Sequence, residues 1–162
     1  MIDHWQLLEV ARELARQKSR GRPKKAFLRR SISSSYYALF HCLVDWATCD
    51  LIGQDRKSAR FILVYRSFQH NEMRFACKEA GKRLPPEFGV ASFCQEIQLC
   101  ANSFIELQKL RHEADYDPQA RITLSDVEGA IRMAETAMKK LAAAPEEQRR
   151  LFLVTLHYKH RT

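Results

Sequence analysis

Apolar residues recur along this chain at spacings of three and four, the period of an α-helix, in five separate stretches. Trp5, Leu8, Ala11 and Ala15 make the first stripe, with Leu7 and Leu14 beside it. Asp3, with Gln6 three positions on, is placed as a capping box, so a helix is expected over about 4–18. Gly21 and Pro23 interrupt the pattern. A second helix is expected from about Lys25 to Leu51, stopped at Gly53. Ile32, Tyr36, Leu39, Leu43 and Trp46 keep its period, and Tyr37, Phe40, Val44 and Ala47 add apolar groups on adjoining faces. A helix apolar around so much of its circumference belongs at the centre of a bundle. Its small residues Ser31, Ser33, Ser34 and Ser35 allow a neighbouring helix backbone to come close.

A third helical stretch is expected over Asp55 to Glu79 with a break near Ser67, followed by a loop marked by Gly81, Pro85, Pro86 and Gly89. Phe93, Ile97, Cys100, Phe104 and Leu107 then carry the cleanest periodic segment, ended by Asp117-Pro118, since the residue before proline avoids helical geometry. Ser125 and Glu128 form a second capping box, ahead of the stripe Val127, Ile131, Ala134, Met138 and Leu141. Pro145 opens a sixth helix, with Glu146 and Glu147 at its positive end. Its run Leu151 to Val154 is suited to docking on the bundle or on a partner subunit, and the tail HYKHRT is read as mobile. Short connections favour antiparallel neighbours. The expected fold is therefore all-α: an antiparallel up-and-down bundle of four to five main helices over residues 1–144. Residues 145–162 add a C-terminal helix and basic tail to the same domain, and 162 residues suit one such unit.

Composition narrows the class further. No apolar run approaches the roughly 20 residues that span a bilayer, and the opening MIDHWQLLEVARELARQ is amphipathic and acid-containing, unlike a signal peptide. Five cysteines, odd in number and without a Cys-x-x-Cys pair, read as reduced and mostly buried thiols, and with them a cytoplasmic setting. The six histidines form no zinc-ligand spacing and no glycine-rich phosphate loop occurs, so neither a metal nor a cofactor is expected.

The net charge of +8 is concentrated. No acidic residue lies between Glu13 and Asp45, a window holding Arg16, Lys18, Arg20, Arg22, Lys24, Lys25, Arg29 and Arg30. The other 19 basic residues balance the 19 acidic ones, so the whole excess is this block. Such a block attracts phosphate backbones without reading sequence. Arg20, Arg22, Lys24, Lys25, Arg29 and Arg30 are its candidate RNA or phosphate contacts; a solvated loop is the plain alternative.

A second unusual feature is LRHEADYDP, residues 110–118. Continuing the fourth stripe past Leu107 lands on Arg111 and Ala114, which puts a cation on the core-facing side. It must pair with an acid or lie where the bundle opens onto a phosphate. Glu113, Asp115 and Asp117 are at hand, and Tyr116 offers a hydroxyl.

The segment RRSISSSYYALFH, residues 29–41, followed about seventy residues later by LRHEADYDP, resembles the HEPN superfamily. It is most similar to small bacterial HEPN proteins with an aromatic YYALFH helix and an arginine-containing ADY motif. The resemblance covers most of residues 1–142. It implies a bundle of four or five helices that forms a homodimer and brings two polar motifs together. Many members are metal-independent endoribonucleases, often toxins paired with a nucleotidyltransferase; others bind RNA or partner proteins without catalysis. The nuclease members place a histidine after the arginine with four to six residues between the two. Arg111 matches the arginine, but Tyr116, Asp117 and Pro118 occupy the positions for the histidine. His112 is about 100° around the helix from Arg111 and is expected to point away from its cleft. His41, which reads first as a satisfied core residue, and His70 are the other imidazoles that folding can bring near.

Imidazole moves protons near neutral pH, whereas arginine holds phosphate without releasing its proton. The expected function is accordingly a dimeric HEPN-like module that binds RNA or a partner such as a nucleotidyltransferase, without an intact catalytic motif. The first alternative is a metal-independent endoribonuclease of toxin–antitoxin type, with Arg111, His112 and Asp115 as catalytic candidates. The second is a purely structural interaction bundle.

Overall fold

The computed structural model describes residues 3–19 and 21–157, and within that range it leaves aside the side chains of Ser19, Arg22 and Pro23. Seven α-helices make the fold among the described residues: α1 (His4–Arg16), α2 (Lys25–Ile52), α3 (Ala59–Ser67), α4 (His70–Glu79), α5 (Gln95–Tyr116), α6 (Leu124–Ala143) and α7 (Glu146–Thr155). A single 3-10 turn covers Pro86–Phe88, and a two-residue antiparallel ladder pairs Lys18 with Pro23 and Ser19 with Arg22. That ladder closes the basic α1–α2 connection around Gly21, whose φ of +76° suits a residue without a Cβ. The expected phosphate contact Arg20 and the tail 158–162 lie outside the described residues.

The apolar pattern explains the assembly. Leu8, Ala11 and Ala15 of the first stripe are buried, while Trp5 stays 42% exposed at its end. The carboxylate of Asp3 caps α1 by accepting from the amides of Trp5 and Gln6. Helix α2 is central, as its apolar circumference requires, and packs against α1, α3, α5, α6 and α7. Tyr36, Leu39, Leu43, Ile97, Phe104, Leu107 and Leu141 are fully buried around it. Each such side chain contributes roughly 1.5–3 kcal/mol through removal from water. The serines on α2 do admit a backbone: Ser31 donates to the carbonyl of Ala11 in α1 at 2.6 Å.

The stretch from 55 to 79 breaks near Ser67 as expected, into two helices divided where Phe68 and Gln69 take extended backbone. This break frees an N-terminus at His70. The capping box of α6 is Thr123 with Asp126, not Ser125 with Glu128, so the helix starts ahead of Ser125. Thr123 Oγ1 accepts from the Asp126 amide at 3.2 Å, and the Asp126 carboxylate accepts from the Thr123 amide at 2.8 Å. Finally, α7 docks on its own bundle, with Phe152 and Leu153 buried.

No described helix is long and apolar enough to cross a membrane. All five cysteines are free; Cys42, Cys77 and Cys100 are buried, and burial pushes the Cys42 thiol up to about 12.

Candidate functional site

Two features far apart in sequence meet at one end of the bundle. Helices α2 and α5 run antiparallel, as the pairings between them establish. Arg29 reaches the carbonyls around Asp117, Ser33 reaches Asp115, and Tyr37 reaches Arg111. The start of α2, which follows the basic block, is thereby fixed to the end of α5, which carries the Arg-His-Glu-Ala-Asp-Tyr motif.

Arg111 is held on three sides. Its Nη2 donates to the Tyr37 hydroxyl at 2.9 Å, and its Nε lies 2.8 Å from Asp115 Oδ2. The Nε–H is not aligned with that oxygen, so the contact is an ion pair, and the buried Nε has no hydrogen bond. The guanidinium also sits 5.5–5.9 Å from the ring centres of Tyr36, Tyr37 and Tyr116. Such cation–π contacts hold the positive group while leaving its charge available to a further anion. Both Asp115 oxygens are engaged, Oδ1 by Ser33 at 2.5 Å and Oδ2 by Arg111. Asp115 therefore orients Arg111, and the arrangement leaves it poorly placed to act as a base.

In front of Arg111 lies a surface cleft of about 410 Å³ between α4 and α5. His70, Asn71, Gln108, His112 and Tyr116 line it with Arg111. His112 thus faces the cleft it was expected to avoid, because its ring leans against Tyr116 with centroids 4.8 Å apart. The break before α4 brings in His70. Its Nδ1 shares a 2.6 Å hydrogen bond with the Tyr36 hydroxyl, and its ring packs on Phe40 at 4.2 Å. Burial pushes the Tyr36 phenol up, so the hydroxyl keeps its proton, and the His70 tautomer sets which of the two groups donates. Burial, helped by the charge of Arg111, lowers the His70 pKa.

The cleft continues as a groove of about 330 Å³ past Gln108 and His112 to Arg74, Lys109 and Glu113. Three buried side-chain polar atoms lack a hydrogen-bond partner among the described residues: Arg74 Nε, Gln108 Oε1 and Arg111 Nε. All three belong to residues lining this continuous groove. A buried polar atom without a partner costs about 1–3 kcal/mol. Native proteins leave few such atoms, and these three lie together.

The basic block divides. Lys24, Lys25 and Arg30 are exposed, although Lys24 lies over the Phe27 ring at 5.0 Å. Arg29 turns inward: it donates to the carbonyls of Ala114, Asp117 and Ala120 at 2.8–2.9 Å, and to that of Pro118 at 3.4 Å. These carbonyls lie at the end of α5 and in the turn beyond it, and only that of Asp117 has a backbone donor as well, the Ala120 amide, so Arg29 acts as a cap and is not among the exposed cations of the block. The Arg22 side chain is outside the described residues.

His41 sits apart from the cleft lining. Its Nδ1 bonds to the Tyr65 hydroxyl at 2.7 Å, and its ring stacks between Tyr37 and Tyr65. Burial, with the neighbouring His70 and His4, pushes its pKa from 6.5 down to about 4. The unfolded chain therefore binds more protons than the folded one across that window, and stability falls as the pH is lowered through it. The penalty is absent above about 6.5 and complete below about 4. The urea midpoint is expected to drop between pH 6.5 and 4, less steeply in His41→Gln; equal slopes would assign the effect elsewhere.

Of the α4 residues only His70 was a candidate from the sequence, as an imidazole that folding can bring near; Asn71 and Arg74 were not apparent. Gln108 carried one signal, a polar residue beside Leu107 on the buried side of α5. No family model, curated protein or solved structure matches the chain. Among the described residues, no group of three or more His, Cys, Asp or Glu side chains converges as a metal site would require.

Proposed function

We propose that the chain is a HEPN-like helical module that binds RNA, with Arg111 at the floor of the α4–α5 cleft contacting phosphate. The observation that carries this reading is the convergence on one groove of two guanidinium Nε–H groups, those of Arg111 and Arg74, buried without a hydrogen bond. Arg111 is held by Tyr37 and Asp115, so little side-chain entropy remains to be lost when a phosphate docks. Lys24, Lys25 and Arg30 extend the positive surface from the neighbouring end of α2. The HEPN-like reading brings with it a homodimer, which light scattering tests by a mass of twice 18.9 kDa.

The experiment is RNA titration at several salt concentrations. Neutralising Lys24, Lys25 and Arg30 together is expected to weaken binding. It should also flatten log K against log salt by about 0.7 for each single-strand phosphate that the variant no longer neutralises. Identical affinity and slope would remove the block from the RNA-binding surface.

One observation favours a second reading, metal-independent cleavage of RNA. Arg111 shares its cleft with two imidazoles, His70 and His112, and His70 is held neutral. A phosphate-holding cation beside a group that can move a proton is the minimum for attack by a 2′-hydroxyl. Incubation with RNA in excess chelator distinguishes the readings: cleavage abolished in both Arg111→Ala and His70→Gln supports catalysis. Intact RNA with the unaltered protein leaves binding alone.

A further inference from the structure

We infer that the groove beyond Arg111 holds a second phosphate subsite, formed by Arg74 and Lys109, and that the ligand is a single-stranded segment lying along α5 from Lys109 to Tyr116. This rests on the RNA-binding reading and specifies the form of nucleic acid it takes.

Arg74 is the main support. It follows Asn71 and His70 by three and four positions, so the three side chains share one face of α4, directed at the groove. Among the described residues its guanidinium has no ion-pair partner, and its Nε is buried without a hydrogen bond. Lys109 faces it from α5. The nearest carboxylates to its Nζ, those of Glu106 and Glu113, are both 4.0 Å away, and the side chain is 60% exposed. Ion pairs that long at the surface are weak and easily exchanged for a phosphate. Glu113 is the one acid lining this section, 4.0 Å from Lys109 Nζ, and it makes no ion pair with Arg74.

The other end of the groove supplies a stacking surface. Tyr116 is 62% exposed, an unusual placement for a large aromatic side chain, and its ring is steadied by His112. An exposed ring beside a phosphate-holding arginine is the arrangement that takes an unpaired base. Lys109 and Tyr116 are two helical turns apart, about 10 Å along the axis. Paired bases are stacked on one another within a duplex and cannot present a face to Tyr116. The combination selects single strands.

The test uses the full chain and fluorescence anisotropy with a labelled oligouridylate of about twelve nucleotides, alongside a duplex of the same length. For the Arg74→Gln, Lys109→Gln double variant, the magnitude of the salt slope is expected to fall by about 1.4, as two single-strand phosphates require. For Tyr116→Ala, affinity for the single strand should fall by about five-fold or more, with little change for the duplex. Circular dichroism and urea midpoints matching the unaltered protein establish that the variants are folded. A double variant with the original slope, while Arg111→Ala still weakens binding, overturns this inference and leaves the RNA-binding reading standing. Duplex bound as tightly as single strand also overturns it. No binding of either nucleic acid by the unaltered protein overturns both.

Discussion

Arg111→Ala is expected to lower RNA affinity by about ten-fold or more, since one charge-assisted hydrogen bond to phosphate contributes about 1.5–3 kcal/mol. The effect should exceed that of removing any one cation of the α1–α2 block. Exposed lysines act there as interchangeable point charges, whereas Arg111 occupies a fixed position. Arg111→Lys is expected to recover only a small part of the affinity. A lysine has no planar fork with which to reach Tyr37, Asp115 and a phosphate together. The substitution to alanine also leaves the Asp115 carboxylate with Ser33 as its remaining partner, so the urea midpoint should fall modestly. Anisotropy titrations on the folded variants check the first effect; affinity equal to that of the unaltered protein would remove Arg111 from the interface.

Arg29→Ala is expected to act on stability by about 2–3 kcal/mol. Four carbonyl groups, from Ala114 to Ala120, lose a hydrogen bond at once; Asp117 keeps the Ala120 amide, and the carbonyls of Ala114 and Ala120 are partly buried. Arg30→Ala, next in sequence and exposed, should change stability by less than about 0.5 kcal/mol. The contrast separates two members of a block that look alike in sequence. Equilibrium unfolding in urea measures both, and equal midpoints would contradict the capping role. Because Arg29 also sets the end of α5 against α2, its removal should weaken RNA binding indirectly, with the salt slope unchanged.

The helices were legible because burial imposes a period. The stripes of α1, α2, α5 and α6 could be read directly, and all four helices form where the stripes lie. The boundaries were set by local chemistry that competes among neighbours: Thr123 and Asp126 won the cap of α6 over Ser125 and Glu128. Arg111 was legible for the same reason, as a cation continuing an apolar stripe. Its surroundings were not. His70 and Arg74 enter the site through the packing of α4 on α5, which no local pattern encodes. Arg29 and Arg30 differ only in which way the first turn of α2 faces. His112 was expected to point away, about 100° round the helix from Arg111. At the open end of a bundle, however, a cleft is wide enough to be lined from two adjacent helical positions.

The cleft as an RNA phosphate site is tested most directly by side-chain NMR of arginine-labelled protein titrated with a single-stranded oligoribonucleotide. The Nε–H resonance of Arg111, without a hydrogen bond in the free protein, is expected to shift progressively and to saturate, joined by the ring signals of His70. Arg56, bound to both oxygens of Asp45 at 2.9 and 2.7 Å on the α2–α3 connection, should stay in place. Shifts confined to the lysines of the basic block, with Arg111 and His70 unmoved at saturation, would contradict the account.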